Sequence, residues 1–153
     1  MKYRDELTLE RPRDEVIALF DDTDNLFKWQ EGLQAFEHVE GEPGHPGAVS
    51  HLKYQMGKRQ IEMVETIIAR DLPDQFIGTY EADGVYNEVA NHFVAVSDTQ
   101  TLWRCESTFQ FSGFGMKLMA LLMPFLFKSQ TRKFMLNFKK FAETGWTVTE
   151  ETS

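Results

Sequence analysis

From residue 33 to residue 111 the apolar side chains recur with a period of two, and short turns interrupt the pattern. The alternating runs are residues 33–40, 49–56, 60–69, 75–82, 86–96 and 101–111. Alternation of this kind is typical of half-buried strands. The turns are rich in Gly, Pro and Asp, and Asp83-Gly84 is a strong hairpin signal. Because strands joined by short turns pair antiparallel with their sequence neighbours, the pattern predicts an antiparallel meander of six strands.

Other elements flank the meander. Residues 3–9 alternate and predict a first strand. Pro12, followed by acidic side chains, predicts the start of a helix. The acidic run 21–24 ends that helix and can cap a second, short helix that continues to about Trp29. After the meander, two glycines end the last strand, and a long helix follows to about residue 143.

This order predicts an α+β protein in which a curved antiparallel sheet of about seven strands wraps around one long C-terminal helix and encloses a cavity. The order resembles the START-like, or Bet v 1-like, superfamily (SRPBCC, polyketide cyclase-like proteins) with its helix-grip fold. The resemblance rests on Arg11-Pro12 after the first strand, Trp29 at the end of the short helices, Asp83-Gly84 between strands and the closing basic helix. It covers essentially the whole chain, so we expect one START-like domain over residues 1–153.

The resemblance implies a site between sheet and helix, where proteins of this kind bind lipids, polyketides, sterols, quinones or other hydrophobic molecules. Some of them are cyclases or dehydratases, and some act on partner proteins, so the fold alone does not choose a function. We expect binding or transport of a hydrophobic small molecule such as a lipid, a quinone or a polyketide-like compound. The alternatives are a cyclase or dehydratase-type enzyme and a non-enzymatic module that docks on a membrane or a partner.

Composition and spacing argue against several other classes. The formal net charge of −8, with no basic stripe outside the C-terminal segment, argues against nucleic-acid binding. The four histidines are scattered and no phosphate-binding Gly-rich loop is present, so we expect neither a metal site nor a cofactor. The single Cys105 cannot form an intramolecular disulfide. A charged N-terminus without the apolar run of a signal peptide indicates a cytoplasmic protein.

Alternation also indicates which side chains face a cavity. In the last strand the odd-numbered residues from Trp103 to Phe111 share the buried face. Tyr54 and Tyr80 share faces with apolar neighbours, so either hydroxyl could fix a ligand carbonyl or instead reach solvent. The predicted ligand-binding set is Tyr54, Met63, Tyr80, Asn91, Trp103, Phe109, Met123, Phe127 and Phe134.

Two further features leave alternatives open, and no catalytic residue can be assigned. Glu65 alternates with apolar residues and could face inward, where a buried carboxyl has a shifted pKa and can act as an acid or base. More commonly such a residue lies at a strand end or beyond the sheet edge. The strand after Asp83-Gly84 has polar groups on both faces, so either face could line the cavity. Those groups are Asn87, Glu88, Asn91 and His92.

The segment 114–141 is both apolar and basic. Ten successive residues, 118–127, carry no polar side chain, and six Lys or Arg but no Asp or Glu occur between residues 106 and 143. At about 100° per residue, the aromatic residues from Phe127 to Phe141 share one stripe, which predicts packing on the sheet. The basic residues opposite that stripe predict a solvated face. They are Lys128, Arg132 and Lys139.

The first third of this segment has more apolar residues than one packed face can use. The surplus residues are Leu118, Leu121, Leu122, Phe125 and Leu126, and the first four are the predicted portal or interface set. Pro124 either kinks the helix or separates a short helix from the main one. The apolar run is only about half the ~20 residues that a membrane-spanning helix needs. Three interpretations of the surplus remain: a portal for the ligand, a homodimer or partner contact, and a peripheral contact with a membrane surface.

Overall fold

The computed structural model describes residues 1–122 and 125–149. The strands are Lys2–Leu9 (β1), Leu33–Glu40 (β2), Val49–Met56 (β3), Arg59–Asp71 (β4), Gln75–Ala82 (β5), Val85–Ser97 (β6) and Gln100–Phe111 (β7). The helices are Arg13–Phe20 (α1), Leu26–Trp29 (α2), Phe114–Leu122 (α3) and Phe125–Thr144 (α4), with a 3₁₀ turn at Thr23–Asn25 before α2.

The strands form one antiparallel sheet in the order β1-β7-β6-β5-β4-β3-β2. Strands β2 to β7 follow one another as the alternation predicted. The first strand pairs with the last, from Lys2 opposite Thr108 to Leu9 opposite Thr101. The predicted seven-stranded antiparallel sheet with a long C-terminal helix is confirmed, and β1 and β2 are its edge strands.

The short helices begin where the sequence predicted. Pro12 precedes α1 with a φ of −59°, and its carbonyl accepts a hydrogen bond from the Val16 N–H at 3.0 Å. The fixed φ of proline suits the start of a helix, where its missing N–H would have no partner. The Asp22 carboxylate caps the 3₁₀ turn by accepting a hydrogen bond from the Asp24 N–H at 3.0 Å. These elements bring Trp29 into the interior, where it is buried.

The predicted C-terminal helix is present in the described residues as α3, which extends to Leu122, and α4, which extends from Phe125. The predicted kink or break at Pro124 lies outside the described residues, as does Met123. Among the residues that the structure describes, no helix is long and apolar enough to cross a membrane.

Basic side chains hold α4 against the edge strand β1. Arg132 donates hydrogen bonds to the Asp5 carboxylate at 2.9 Å and to the Glu6 carbonyl at 3.0 Å. Lys139 donates to the Thr8 carbonyl at 2.7 Å. Arg132 and Lys139 of the predicted solvated face are therefore partly exposed but are also bound to β1, which the sequence did not predict. The reason is that β1 has no strand on its outer side, so its outward carbonyls take donors from α4.

A cluster of aromatic rings fills one part of the interior, and we call it the aromatic core. Its members are Phe20, Trp29, Phe93, Trp103 and Phe138. The Phe20 and Phe93 rings meet edge to face with centroids 5.0 Å apart. Phe138 meets Trp29 at 5.1 Å and Trp103 at 5.3 Å in the same manner. Edge-to-face pairs at these distances are favourable, and they bury the predicted stripe of α4 at Phe138.

Candidate ligand-binding cavity

A cavity of about 1160 Å³ lies between the sheet and helices α2, α3 and α4. Strands β2 to β7 contribute to one wall and the helices form the other. Apolar side chains are prominent in it, among them Leu52, Met63, Val89, Phe109 and Phe134. Pockets for small molecules typically measure about 300–1,000 Å³, so this cavity has room for a large organic ligand.

Four inward-facing polar residues cross the wall of the cavity in one line, which we call the polar row. Ser50 lies opposite Glu65, Glu65 opposite Tyr80, and Tyr80 opposite Asn87, on the successive strands β3 to β6. All four line the cavity. Residues directly opposite in an antiparallel pair lie about 4.5–5.5 Å apart, so the row is continuous. It forms a polar strip within an otherwise largely apolar wall.

Glu65 is a buried carboxyl at the centre of this row. Its side chain lines the cavity and the residue is 9% exposed. Burial raises the pKa of Glu65, and a hydrogen bond with Tyr80 opposes part of that rise. The commoner interpretation of Glu65, at a strand end or sheet edge, is wrong, because β4 extends from Arg59 to Asp71 and Glu65 lies in its middle. Its alternation with apolar neighbours was the signal that could have placed it in the predicted set.

Tyr80 lies on the neighbouring strand, opposite Glu65. A Cβ atom added at Gly78 would lie 3.3 Å from the Tyr80 hydroxyl, so the absent side chain at Gly78 leaves the space that this ring occupies. Burial raises the pKa of Tyr80 well above its ordinary value, and the neighbouring charge of Glu65 adds to the rise. The hydroxyl therefore remains protonated and acts as a hydrogen-bond donor to Glu65.

Tyr54 faces the cavity, but its hydroxyl proton is already engaged in a hydrogen bond within the protein. The hydroxyl donates a hydrogen bond to the Gln30 side-chain oxygen at 2.6 Å. Its ring stacks on Phe134 with centroids 6.3 Å apart. Burial, followed by the charge of Glu65, raises the pKa of Tyr54 above its ordinary value. Toward a ligand the Tyr54 oxygen can therefore only accept, whereas the sequence suggested a donor to a carbonyl.

The structure decides which face of β6 lines the cavity. Asn87 and Asn91 point inward, and Glu88 is exposed on the opposite face. The Asn91 side chain is engaged at both its polar atoms, since its oxygen accepts a hydrogen bond from the Trp103 indole N–H at 3.0 Å and its NH₂ donates one to the Phe76 carbonyl at 3.4 Å. The Asn87 side-chain oxygen is buried and has no hydrogen-bond partner in the described part of the chain. Asn87, which the predicted set lacked, therefore offers the free acceptor.

The remaining predicted ligand-binding residues have these positions. Met63, Trp103, Phe109, Phe127 and Phe134 all line the cavity. Met123 lies outside the described residues. Their role as ligand contacts stays a prediction.

Cys105 also faces the cavity and is buried. Burial raises the pKa of Cys105 to about 12, and the nearby Asp5 and Glu106 charges add to it, while the Ser107 hydroxyl opposes it. The thiol therefore stays protonated at neutral pH and is unsuited to act as a nucleophile.

Part of the cavity lining lies beside α3, and we call this place the mouth. Met116 and Met119 of α3 and Leu126 of α4 line the cavity there. α3 packs on the β5–β6 turn, where a Cβ added at Gly84 would lie 2.7 Å from the Met116 Cγ. Asp83, in the same turn, also belongs to the lining.

The four residues predicted as portal or interface lie on the outer side of the mouth, and together they are called the mouth patch. They are Leu118, Leu121, Leu122 and Phe125. All four are exposed, Leu121 to 77% and Leu122 to 66%, and none of them belongs to the cavity lining. Lys117 and Lys128 beside them are exposed as well. The surplus of apolar residues in the sequence therefore corresponds to an apolar surface next to the mouth.

Charge in the cavity wall is mostly negative. In the described part of the chain, the wall residues with charged side chains are Asp21, Asp24, Arg59, Glu62, Glu65 and Asp83. Glu65 is the buried member of this set, and Arg59 is separated from it by about 20 Å of extended strand. Within residues 1–122 and 125–149, no three His, Cys, Asp or Glu side chains are grouped so that they could hold a metal ion.

No protein-family model matches the sequence, and no curated protein matches it. Solved structures do match. A protein from Thermus thermophilus has a TM-score of 0.76 at 15% identity, over 93% of this chain and 97% of that one. Norcoclaurine synthase from Thalictrum flavum, in complex with dopamine and hydroxybenzaldehyde, has a TM-score of 0.70 at 13% identity, over 92% and 85%. The Zhui aromatase/cyclase from a Streptomyces species has a TM-score of 0.72 at 10% identity, over 97% and 99%.

The TM-scores establish a common fold, but at identities this low the function of one protein does not carry over to another. The similarity covers nearly the whole chain in each case. It includes the antiparallel sheet, the short helices after β1 and the long C-terminal helix. The chain therefore has the Bet v 1-like helix-grip fold, as the order of its elements predicted.

Proposed function

We propose that this protein binds a hydrophobic small molecule in the cavity between the sheet and α4. The observation that carries the proposal is a cavity of about 1160 Å³ in which buried polar atoms lack partners. In the described part of the chain, the Trp29 indole N–H and the Asn87 side-chain oxygen belong to lining residues and have no hydrogen-bond partner. An unsatisfied buried polar group costs about 1–3 kcal/mol, which a ligand with matching groups would offset.

The wall suits a ligand with a large apolar body and a small polar end. Met63, Phe109, Phe127 and Phe134 offer apolar surface on both sides of the cavity. The polar row provides orienting groups on the sheet wall. Two proteins with the same fold are norcoclaurine synthase, in complex with dopamine and hydroxybenzaldehyde, and an aromatase/cyclase. This supports a site for organic small molecules.

The mouth beside α3 is the proposed route of access. Met116, Met119 and Leu126 line the interior, while the mouth patch extends the apolar surface outward. A ligand that leaves an apolar phase would meet this surface before it reaches the cavity. Contact of the patch with a membrane or with a second copy of the chain is the competing explanation, and vesicle flotation and size-exclusion chromatography distinguish it.

The test of ligand binding uses native mass spectrometry of freshly purified protein, followed by organic extraction. We expect a co-purifying molecule, and its loss in Val89→Phe, which places a larger side chain in the cavity. The matched control is Val94→Phe, on the same strand but exposed on the other face, which should retain the molecule. Equal occupancy of both variants would contradict the cavity as the site. An empty wild-type protein that also takes up no added hydrophobic probe would contradict the function.

A second candidate function is acid–base catalysis at Glu65, in a cyclase or dehydratase-type reaction. The observation in its favour is a buried carboxyl with a raised pKa that lines the cavity. Such a group can take a proton from a carbon next to a ligand carbonyl and return it later, as general acid–base catalysis requires. Glu65→Gln should then abolish turnover of a bound ligand without abolishing binding. Conversion that persists in Glu65→Gln would exclude this role.

A further inference from the structure

Two members of the polar row, Glu65 and Asn87, present acceptors to the cavity. Glu65 contributes two carboxyl oxygens, and the buried Asn87 oxygen has no partner in the described part of the chain. The proton of Tyr54 is donated to Gln30, and that of Tyr80 to Glu65. The hydrogen-bonding group that complements Glu65 and the Asn87 oxygen is therefore a donor on the ligand, whereas the Trp29 indole N–H on α2, also unpaired within the described residues, is complemented by an acceptor on the ligand.

The second feature is that Glu65 has no cationic partner within the described residues. The wall residues of α4 in that part of the chain are uncharged, and Arg132 and Lys133 of that helix pair with Asp5 and Glu31 instead. Arg59 lies about 20 Å away along β4. A carboxylate buried without a partner is costly, so a positive charge brought by a ligand would be strongly favoured there.

The other titratable groups that face Glu65 do not supply this charge. Tyr54 and Tyr80 have raised pKa values because they are buried, and Cys105 likewise, so all three are neutral near pH 7. His38 is in register with Ser50, two strands from Glu65 or about 10 Å, and its ring nitrogen hydrogen-bonds to the Gly41 carbonyl at 2.7 Å. The row thus combines free acceptors with an uncompensated carboxyl.

We infer that the cavity is selective for hydrophobic amines, whose ammonium group would lie against Glu65 while the apolar body fills the space under α4. A further N–H or O–H donor on such a ligand would reach the free Asn87 oxygen. A carboxylate of the same shape would bring a like charge next to Glu65 and would be rejected. A neutral alcohol would bind with an affinity between those of the amine and the carboxylate. The inference rests on the proposed binding function and names the ligand class.

The test compares three probes that share one apolar chain: dodecylamine, 1-dodecanol and dodecanoate, each below its micellar concentration. Binding is measured by calorimetry at pH 7 with the full-length protein. We expect the amine to bind about tenfold more tightly than the alcohol, and the carboxylate to bind most weakly. The preference for the amine should fall as the pH is lowered and Glu65 takes up its proton. The amine itself stays charged throughout that range.

Glu65→Gln retains the size of the side chain and removes its charge. In this variant we expect the amine preference to be lost while the alcohol still binds. Glu88→Gln, an exposed change on the outer face of β6, should keep the wild-type order of the probes. The order of the three probes on the wild-type protein needs no variant, so misfolding of Glu65→Gln would leave the test decisive.

The outcomes separate this inference from the function on which it rests. If the alcohol or the carboxylate binds as tightly as the amine, the amine selectivity is wrong and the binding function stands. If the amine is preferred but Glu65→Gln keeps that preference, Glu65 is not its origin and the inference fails in this form. If none of the probes binds, both the proposed function and the inference are overturned.

Discussion

Two parts of the interior differ in how the chain fills them. Around the aromatic core, the chain's own rings meet at centroid distances near 5 Å, as between Phe20 and Phe93 at 5.0 Å, and the side chains leave little room. The cavity of about 1160 Å³ extends from the Phe20, Trp29 and Trp103 side of this core past the polar row to α3 and the first turns of α4. The packed part stabilises the fold. The open part is therefore free to carry groups, such as Glu65, that do not favour stability.

α4 takes part in both regions. Toward its C-terminus, Met135 and Phe138 are buried and Lys139 binds the edge of β1. At its N-terminus, Phe125 is exposed to 61% and belongs to the mouth patch. One helix thus has an end that is held by packing and hydrogen bonds and an end that borders the mouth. Changes at the two ends should therefore affect different properties of the protein.

The largest effect is expected at the packed end. Phe138→Ala removes a fully buried ring that contacts Trp29 and Trp103, so we expect a loss of about 3–5 kcal/mol in the free energy of unfolding, measured with urea. The control is Leu121→Ala, at an exposed apolar site, which should change stability by less than about 0.5 kcal/mol. Similar losses in the two variants would show that Leu121 of the mouth patch is packed in solution, which would contradict the difference between the packed and the exposed end.

The double variant Leu121→Glu with Leu122→Glu addresses the open end. Because both side chains are exposed, we expect unchanged stability. Uptake of a hydrophobic ligand should weaken about tenfold, or ~1.4 kcal/mol, since the apolar approach to the mouth is interrupted. Leu136→Glu, at an exposed site on α4 outside the patch, serves as the control. If ligand uptake, vesicle flotation and oligomeric state are all unchanged, the patch has no role in binding.

The packed part and the strands were largely predictable from the sequence, since the signals are local. Alternation bounded by Gly and Pro turns predicted residues 33–40, 49–56 and 75–82 with the bounds that the structure has. The cavity was harder to predict from the sequence, because its polar row depends on the register between strands. Glu65 can be assigned to the polar row only once Ser50 and Tyr80 are known to lie opposite it. Single-strand alternation leaves such pairings open.

Two limits of the sequence-based predictions have the same physical origin. Arg132 and Lys139 follow the periodicity of a solvated helix face, but the unpaired edge of β1 lies beneath that face and accepts their hydrogen bonds. Asn91 is in the predicted ligand-binding set and Asn87 is not, yet the Asn91 oxygen accepts a hydrogen bond from the Trp103 indole N–H whereas the Asn87 oxygen has no partner in the described part of the chain. In both cases a partner distant in sequence decides whether a polar group is free. Such partners have no signature in the local pattern.

A moderate effect is expected at Tyr54, which lies where the two parts of the interior meet. Tyr54→Phe keeps the ring on Phe134 and removes the hydrogen bond to Gln30, so stability should fall by about 0.5–1.5 kcal/mol. Tyr86→Phe is the control, because the Tyr86 hydroxyl makes no hydrogen bond within the described residues. Urea unfolding at one pH measures both variants. An equal change in the two would mean that the Gln30 bond is not maintained in solution.

The smallest change in stability, and one of opposite sign, is expected for Glu65→Gln. Burial raises the pKa of Glu65 above the ordinary value of 4.5, so as the pH rises the unfolded chain releases this proton before the folded protein does. The unfolded state then binds fewer protons, and the wild-type protein loses stability as the pH rises through the folded-state pKa.

Below the ordinary pKa both states are protonated, and the contribution of Glu65 is constant. Glu65→Gln removes the group, so the variant should gain stability relative to wild type as the pH is raised from about 4 toward neutral. Urea unfolding across that range measures the difference, and Glu88→Gln, at an exposed site, controls for surface carboxyls. A difference that instead favours wild type increasingly with pH would mean that a cation already neutralises Glu65. The carboxyl would then no longer be free for an amine, because the protein itself would already supply its charge partner. The open part of the interior would then resemble the packed part, where the chain supplies its own contacts.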